Sequence, residues 1–396
     1  MSDAYDVMAP VHDRATRDAA LARLRREDPV HWDEQHGWWL VTRHADVREV
    51  SRAPETFSSE PRGPWHVTEY QFSMQAMDGD RHRRHRGVVG RAFTPRVVAQ
   101  LEEAAERYAD AAIERVAQQR HADFVEDLAV PVPLRIIADM IGVADTELDR
   151  FRAWSDALVL AGGGHGDEAA LAETMRLMSD FLGYLGEAVE RRRREPGSDI
   201  LSLIVRAGEE GVLDGESRLH LDGDEIRDFA LFLLVAGNET TRNAIAQGML
   251  TLFEHPEERG RLAADESLWS TASDEILRWT SPVRAMRRVA LHDTTLGGRP
   301  IAAGDSVVMI YASANNDEAV FDEPYRFRVD RDPNEHLAFG FGPHYCLGAN
   351  LARMEVRAVL RKILRRLPGI RLASGGVAVP TPSALIDGLD ALPVEW

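Results

Sequence analysis

Cys346 is the only cysteine in a chain of 396 residues, and it closes the run Phe339-Gly340-Phe341-Gly342-Pro343-His344-Tyr345-Cys346-Leu347-Gly348. One cysteine cannot staple a fold through an internal disulfide, nor can it share a multi-cysteine zinc or iron–sulfur site. The chain must hold itself together by burying a core, and the sulfur must act alone. Three roles remain for it: inert packing, nucleophilic attack assisted by a histidine, or service as a single thiolate ligand. His344 lies too near in sequence to face the sulfur easily as a base. Beyond Gly348 the apolar spacing of Leu351, Met354, Ala358 and of Val356, Leu360, Ile363, Leu367 reads as a helix running to Arg366. A loop entering a helix N-terminus favours a thiolate, and small neighbours let a flat, bulky group approach the backbone.

Composition narrows the classes. Apolar residues make up 44% and charged residues 28%, the balance of a folded globular chain, long enough for one large domain or two. The formal charge of −18 argues against a nucleic-acid-binding surface. No apolar stretch approaches a membrane span and Met1-Ser2-Asp3-Ala4 opens no signal peptide, so a cytoplasmic protein with no membrane contact is expected. Lys362 is the only lysine, which removes the phosphate-binding loop and leaves a single, poorly placed Schiff-base candidate.

Helical patterns dominate: Arg14–Arg26, a Thr94 cap with Pro95 opening a helix to about Gln118, then Pro133–Ile141, Thr146–Leu160, Glu168–Arg193 and Ile200–Glu209. His31-Trp32 and Trp38–Thr42 read as a hairpin. Val289–Leu291, Arg299–Ile301 and Val307–Tyr311, separated by glycine turns, read as a small antiparallel sheet. No repeat or linker divides the chain. The expected fold is one mainly α domain over residues 1–396 with a minor antiparallel β portion.

Three further segments bear chemistry. Phe229–Val235 is apolar all round, then Ala236-Gly237 leads into six polar residues, Asn238-Glu239-Thr240-Thr241-Arg242-Asn243, before the helix turns apolar again. Six in a row cover every face, so some point inward, unless the threonines back-bond to the preceding turn. Glu275 and Arg278 form an i,i+3 pair that alone reads as a weak surface interaction. Asp80-Arg81-His82-Arg83-Arg84-His85-Arg86 is a dense basic run in an acidic protein. It reads as a solvated helix face or an anion site, and His82-x-x-His85 lacks a third metal ligand.

The spacing Phe339-x-x-Gly342-x-His344-x-Cys346-x-Gly348, followed by Ala349-Asn350-Leu351-Ala352-Arg353, resembles the haem-binding signature of the cytochrome P450 family, in its soluble bacterial branch. The other segments fall in that family's order, from about Asp78 to Arg357. The resemblance implies a single-domain P450 fold holding haem b, with Cys346 as axial iron ligand and Phe339 and Gly348 beside it. It implies that His82, Arg86, Arg288 and His344 meet the propionates. Glu239 and Thr240 become the acid–alcohol pair that delivers protons, and Ala236 and Gly237 leave space for O2. Glu275, Arg278 and Arg326 become a buried structural ion network.

The implied activity is monooxygenation of a hydrophobic small molecule of steroid, terpenoid or fatty-acyl type by a monomer. Oxidative tailoring of a polyketide, macrolide or aromatic compound is the alternative substrate class. With no dinucleotide fingerprint in the chain, electrons come from a ferredoxin or flavodoxin with its reductase. Arg353, Arg357, Arg361, Lys362, Arg365 and Arg366 read as a basic docking face for that donor or as a solvated helix flank. Substrate contacts are expected from Pro61–Met77, Ala153–Arg176, Val235–Gly237, Val283–Met286 and Ser383–Leu389, including Trp65, Phe72, Met74, Met77, Leu158 and Met286. Gly162–Gly166 reads as a lid turn, and Arg284 as a surface-facing residue or a carboxylate partner. A haem-binding sensor, a peroxide-driven enzyme and a cysteine hydrolase are the readings from other classes.

Overall fold

Side-chain caps place several helix starts. Asp13 accepts from the N–H groups of Ala15 and Thr16 and opens α1 (Arg14–Glu27). β1 (Val30–Asp33) and β2 (Trp38–Val41) form the expected hairpin, followed by α2 (His44–Arg52) and β3 (Phe57–Ser58). α3 (Gly79–Val89) carries the basic run. Thr94 caps α4 (Pro95–Val116) with Pro95 in its first turn, where the missing N–H costs nothing. β4 (His121–Asp123), α5 (Pro131–Ile141), α6 (Leu148–Gly163), α7 (Glu168–Arg194) and α8 (Ile200–Glu210) follow, then the hairpin β5 (Val212–Asp214) and β6 (Ser217–Leu219).

α9 (Gly223–Glu254) runs for 32 residues and begins in a reciprocal cap between Asp222 and Glu225. Glu225 also accepts from His85 Nε2 at 2.9 Å and from Arg84, so the cap fixes α3 against the start of α9. Next come α10 (Pro256–Ala264), α11 (Trp269–Thr280), β7 (Ala285–Ala290), β8 (Thr294–Leu296), β9 (Arg299–Ile301), β10 (Ser306–Ile310) and α12 (Tyr311–Ala314). A long irregular stretch leads to the cysteine loop and α13 (Ala349–Arg366). β11 (Arg371–Leu372), β12 (Val379–Pro380), β13 (Leu389–Ala391) and β14 (Pro393–Glu395) close the chain. These elements come from a computed structural model that describes residues 5–9, 13–60, 74–163, 168–197, 199–214, 217–383 and 385–396.

The main core gathers small and branched residues of four helices: Ala105 and Ile113 of α4, Ile136 and Ile137 of α5, Ala244 and Ile245 of α9, and Val356 and Leu360 of α13. Burial of these side chains is the dominant stabilising term, as a chain without disulfides requires. The β portion differs in detail from the expected single antiparallel sheet. β10 pairs antiparallel with β7 but parallel with β2, within a five-stranded order β1-β2-β10-β7-β3. β9 leaves that sheet and pairs with β8 as a separate hairpin. The reason is local: Gly297 and Gly298, with φ of +56° and +79°, turn Leu296 straight back onto Arg299. No helix among the described residues is long and apolar enough to cross a membrane.

Candidate active site

The cysteine loop is clamped from below by α2. Gly342 has φ +71°, and a Cβ there would lie 2.5 Å from the Ser51 carbonyl oxygen, so only glycine permits the approach. Phe341 lies under the guanidinium groups of Arg48 and Arg52, 4.4 and 4.6 Å from its ring centre. Cys346 N–H donates to the Phe339 carbonyl at 2.9 Å. The Phe339 ring is covered by Arg353 at 4.6 Å and met edge-on by Tyr345. Cys346 retains accessible surface, yet the protein around it is dense enough that burial pushes its thiol above the ordinary value. The Gly348 N–H, Arg86 and Arg353 pull the other way without overcoming it. In the protein alone, burial therefore outweighs the expected bias toward thiolate.

An ion network fixes the loop's approach. Glu275 and Arg278 are fully buried and pair through two hydrogen bonds of 2.7 and 2.9 Å. Arg278 also donates to the carbonyls of Asn315 and Pro324. The third member is Arg331, not Arg326. Arg331 Nε donates to Glu275 Oε2 at 3.0 Å, and its other nitrogens meet the carbonyls of Asp322, Glu323 and Arg326. The Arg326 side chain is 61% exposed and pairs with Glu323 on the surface. Its contribution to the network is a backbone carbonyl.

Above the loop, α3, β7 and the residues before Cys346 bring four cationic or protonatable groups together. His82 stacks on His344, ring centres 4.1 Å apart. His344 Nε2 approaches Ser59 Oγ and Asp78 Oδ1 at 3.1 and 3.3 Å. Burial would raise the Asp78 carboxyl, but hydrogen bonds from His344, Ser58 and the Ser59 N–H outweigh it and hold it well below the carboxylate range. Burial, then His344 and Arg86, push His82 down to about 4, so it is a neutral donor at neutral pH. Burial lowers His344 as well. Arg86 and Arg288 are desolvated, and among the described residues neither meets a carboxylate within ion-pair distance. The sequence reading passed over Asp78, which organises two of these groups. No group of three or more metal-ligating side chains gathers among the described residues.

α9 passes through the polar run without a break. Thr240 Oγ1 donates to the Ala236 carbonyl at 2.7 Å, the back-bond that was one reading of the sequence. Glu239 turns the other way, to Arg242 at 2.8 Å and to Asn243 Nδ2 at 2.9 Å. No hydrogen bond joins the two expected partners. Gly237 faces α5: a Cβ there would lie 2.6 Å from Ile137 Cδ1, so its smallness serves helix packing.

A family model described as Cytochrome P450 matches residues 270–368. The methyl-branched lipid omega-hydroxylase of Mycobacterium tuberculosis is 40% identical, over 97% of this chain and 92% of that protein. A steroid C26-monooxygenase of Mycolicibacterium smegmatis is 36% identical over 94% and 91%. Among solved structures, substrate-free CYP109E1 from Bacillus megaterium matches with a TM-score of 0.88 at 32% identity, covering 97% of this chain and 99% of that one. The same enzyme in complex with testosterone matches at 0.84 and 34%, covering 96% and 97%. The chain belongs to the cytochrome P450 family. It is a monooxygenase of the oxygen-incorporating type, with a haem-thiolate cofactor and separate redox partners implied by the family.

The residues present fit that cofactor. Cys346 is a lone soft donor, the position of a Cβ on Gly348 meets no neighbouring atom within 4 Å, and buried Arg288 and half-buried Arg86 meet no carboxylate within ion-pair distance among the described residues. The remaining P450 features divide. Met74 and Met77 are buried and Met286 half-buried, with Gln75 Nε2 3.3 Å from the Met286 sulfur. Trp65, Phe72, His165 and most of the lid turn lie outside the described residues, as does the Leu158 side chain. Arg284 is neither surface-facing nor open to substrate. It is buried and donates to the Ala9 and Ser383 carbonyls. The basic face of α13 is neutralised: Arg353 pairs with Asp274, Arg357 with Glu102, Arg361 and Lys362 with Glu106, Arg365 with Glu266, and Arg366 with Asp110.

Proposed function

We propose that residues 1–396 work as one cytoplasmic, monomeric P450 domain that carries haem b and hydroxylates a steroid, terpenoid or fatty-acyl type substrate. Electrons come from a ferredoxin or flavodoxin with its reductase. The observation that carries the reading is the pair of desolvated arginines, Arg86 and Arg288, which meet no carboxylate within ion-pair distance among the described residues, beside the loop of a lone, accessible cysteine: two cations and one sulfur suit a dianionic, metal-bearing ligand. The names of the lipid and steroid relatives support the substrate class.

Bound haem supplies oxygen activation. The chain supplies the rest. Cys346 Sγ would hold the iron, which would stabilise its negative charge. Arg86, Arg288, His82 and His344 would hold the propionates. Thr240 Oγ1 leaves its bond to the Ala236 carbonyl to hand on a proton, and Glu239, after taking a proton from solvent, resupplies it. Met74, Met77 and Met286 supply apolar walls that exclude water from the substrate.

The reduced protein with carbon monoxide is expected to show the red-shifted thiolate Soret band, absent in Cys346→His. Titration with steroids and branched fatty lipids is expected to shift the iron to high spin. A purified protein that takes up no haem, or one lacking that band, overturns the reading.

A further inference from the structure

The Glu239 carboxylate is not free to swing. Arg242 Nη2 lies 2.8 and 2.9 Å from its two oxygens, and Asn243 Nδ2 donates both to Oε1 at 2.9 Å and to the Glu239 carbonyl at 3.0 Å. Asn243 is fully buried. Its other amide atom, Oδ1, accepts from the Leu389 N–H at 3.1 Å. One side chain thus joins the acid on α9 to the first residue of β13. The fit is tight: a Cβ on Gly388 would lie 2.3 Å from Asn243 Oδ1.

The loop before β13 is itself anchored as a unit. Gln247, one turn beyond Asn243, donates to Asp387 at 3.0 Å, and Asp387 pairs with Arg17. The Asp387 N–H donates to the Pro282 carbonyl and the Arg284 N–H to the Leu385 carbonyl. Residues 282–284 and 385–389 are therefore laced together, and they overlap the stretches Val283–Met286 and Ser383–Leu389 from which the family resemblance implies substrate contacts. A buried amide that loses one of its bonds is costly, so a shift of Leu389 is passed along to Glu239 instead of being absorbed.

We propose that Asn243 is a positioning residue that couples the place of the 385–389 loop to the orientation of the Glu239 carboxylate. A substrate seated against that loop thereby sets the acid for proton delivery. The proposal rests on the hydroxylase reading above and names what regulates its acid.

Two measurements test it. In the reconstituted holoenzyme turning over a substrate, Gly388→Ala displaces Asn243 without touching Glu239. It is expected to raise the share of reducing equivalents lost as hydrogen peroxide about threefold or more, as is Asn243→Ala. The double variant is expected to add nothing to either, because both break one connection. In the resting protein without substrate or donor, amide exchange at Leu389 is expected to rise roughly tenfold in Asn243→Ala. Asn243→Asp keeps an acceptor for Leu389 and loses the donor to Glu239, so it is expected to retain protection and still uncouple. Unchanged peroxide release in Gly388→Ala, additive effects in the double variant, or unaltered exchange in Asn243→Ala overturns the proposal. Absence of any turnover, with Leu389 protection still dependent on Asn243, overturns the hydroxylase reading and leaves the bridge standing.

Discussion

Single arginines carry different weights here depending on what surrounds them. Arg326 and Arg331 are five residues apart, yet one is a surface ion pair and the other a buried partner of Glu275. Arg326→Ala is expected to change unfolding free energy by less than about 1 kcal/mol, because exposed pairs are screened and entropically costly. Arg331→Ala strips one partner from a buried carboxylate, and a loss of about 3–5 kcal/mol is expected in the same denaturation experiment. The resemblance placed Arg326 in the network, and it is the fold that buries Arg331 there instead. Thr240→Ala is expected to keep substrate binding, read as the spin-state shift, while diverting several-fold more electrons to peroxide, roughly the scale of losing one positioned proton donor.

At the scale of elements, the pairing of α13 with α4 changes how electron transfer has to be read. The acidic side chains of α4 answer the basic side chains of α13 almost residue for residue, so the cations are partly spent on holding two helices together. Glu106→Gln releases Arg361 and Lys362 from their shared partner. It is expected to speed reduction by an acidic ferredoxin at low ionic strength, with the gain vanishing at high salt. An unchanged rate at low salt means that the donor docks elsewhere. Helix starts such as Thr94-Pro95 and the run from Gly348 were legible in the sequence because caps and periodicity act within a few residues. The division of the predicted β sheet was not, since pairing partners such as Trp38 and Ser306 lie far apart in the chain.

For the whole molecule, the buried acid Glu355 on α13 sets a pH dependence. Its Oε1 has no hydrogen-bond partner among the described residues, and burial pushes its carboxyl up to about 8 from an ordinary 4.5. The folded protein keeps this proton at pH values where the unfolded chain has lost it. Stability from this group therefore falls as pH rises from about 4.5, and the loss is complete above about 8. Glu355→Gln is expected to match the wild type in urea unfolding near pH 5 and to exceed it increasingly up to about pH 9, by an amount on the order of several kcal/mol. A gap that does not widen with pH means that the acid is ionised in the folded state.

The helical class, the loop that presents Cys346 and the residue types of the site are legible along the chain, because these depend on local spacing and on what a lone sulfur cannot do. So is the placing of Glu275 beside Arg278, which one helical turn guarantees. That Arg331 completes that network, and that its surroundings raise the Cys346 thiol and do not lower it, emerges from contacts made in the folded chain. The fold alone shows that Gly237 is small for the sake of Ile137, and that Asn243 ties Glu239 to Leu389. Each of these turns on burial or on a contact between distant segments, and desolvation and close approach exist only once the chain has folded.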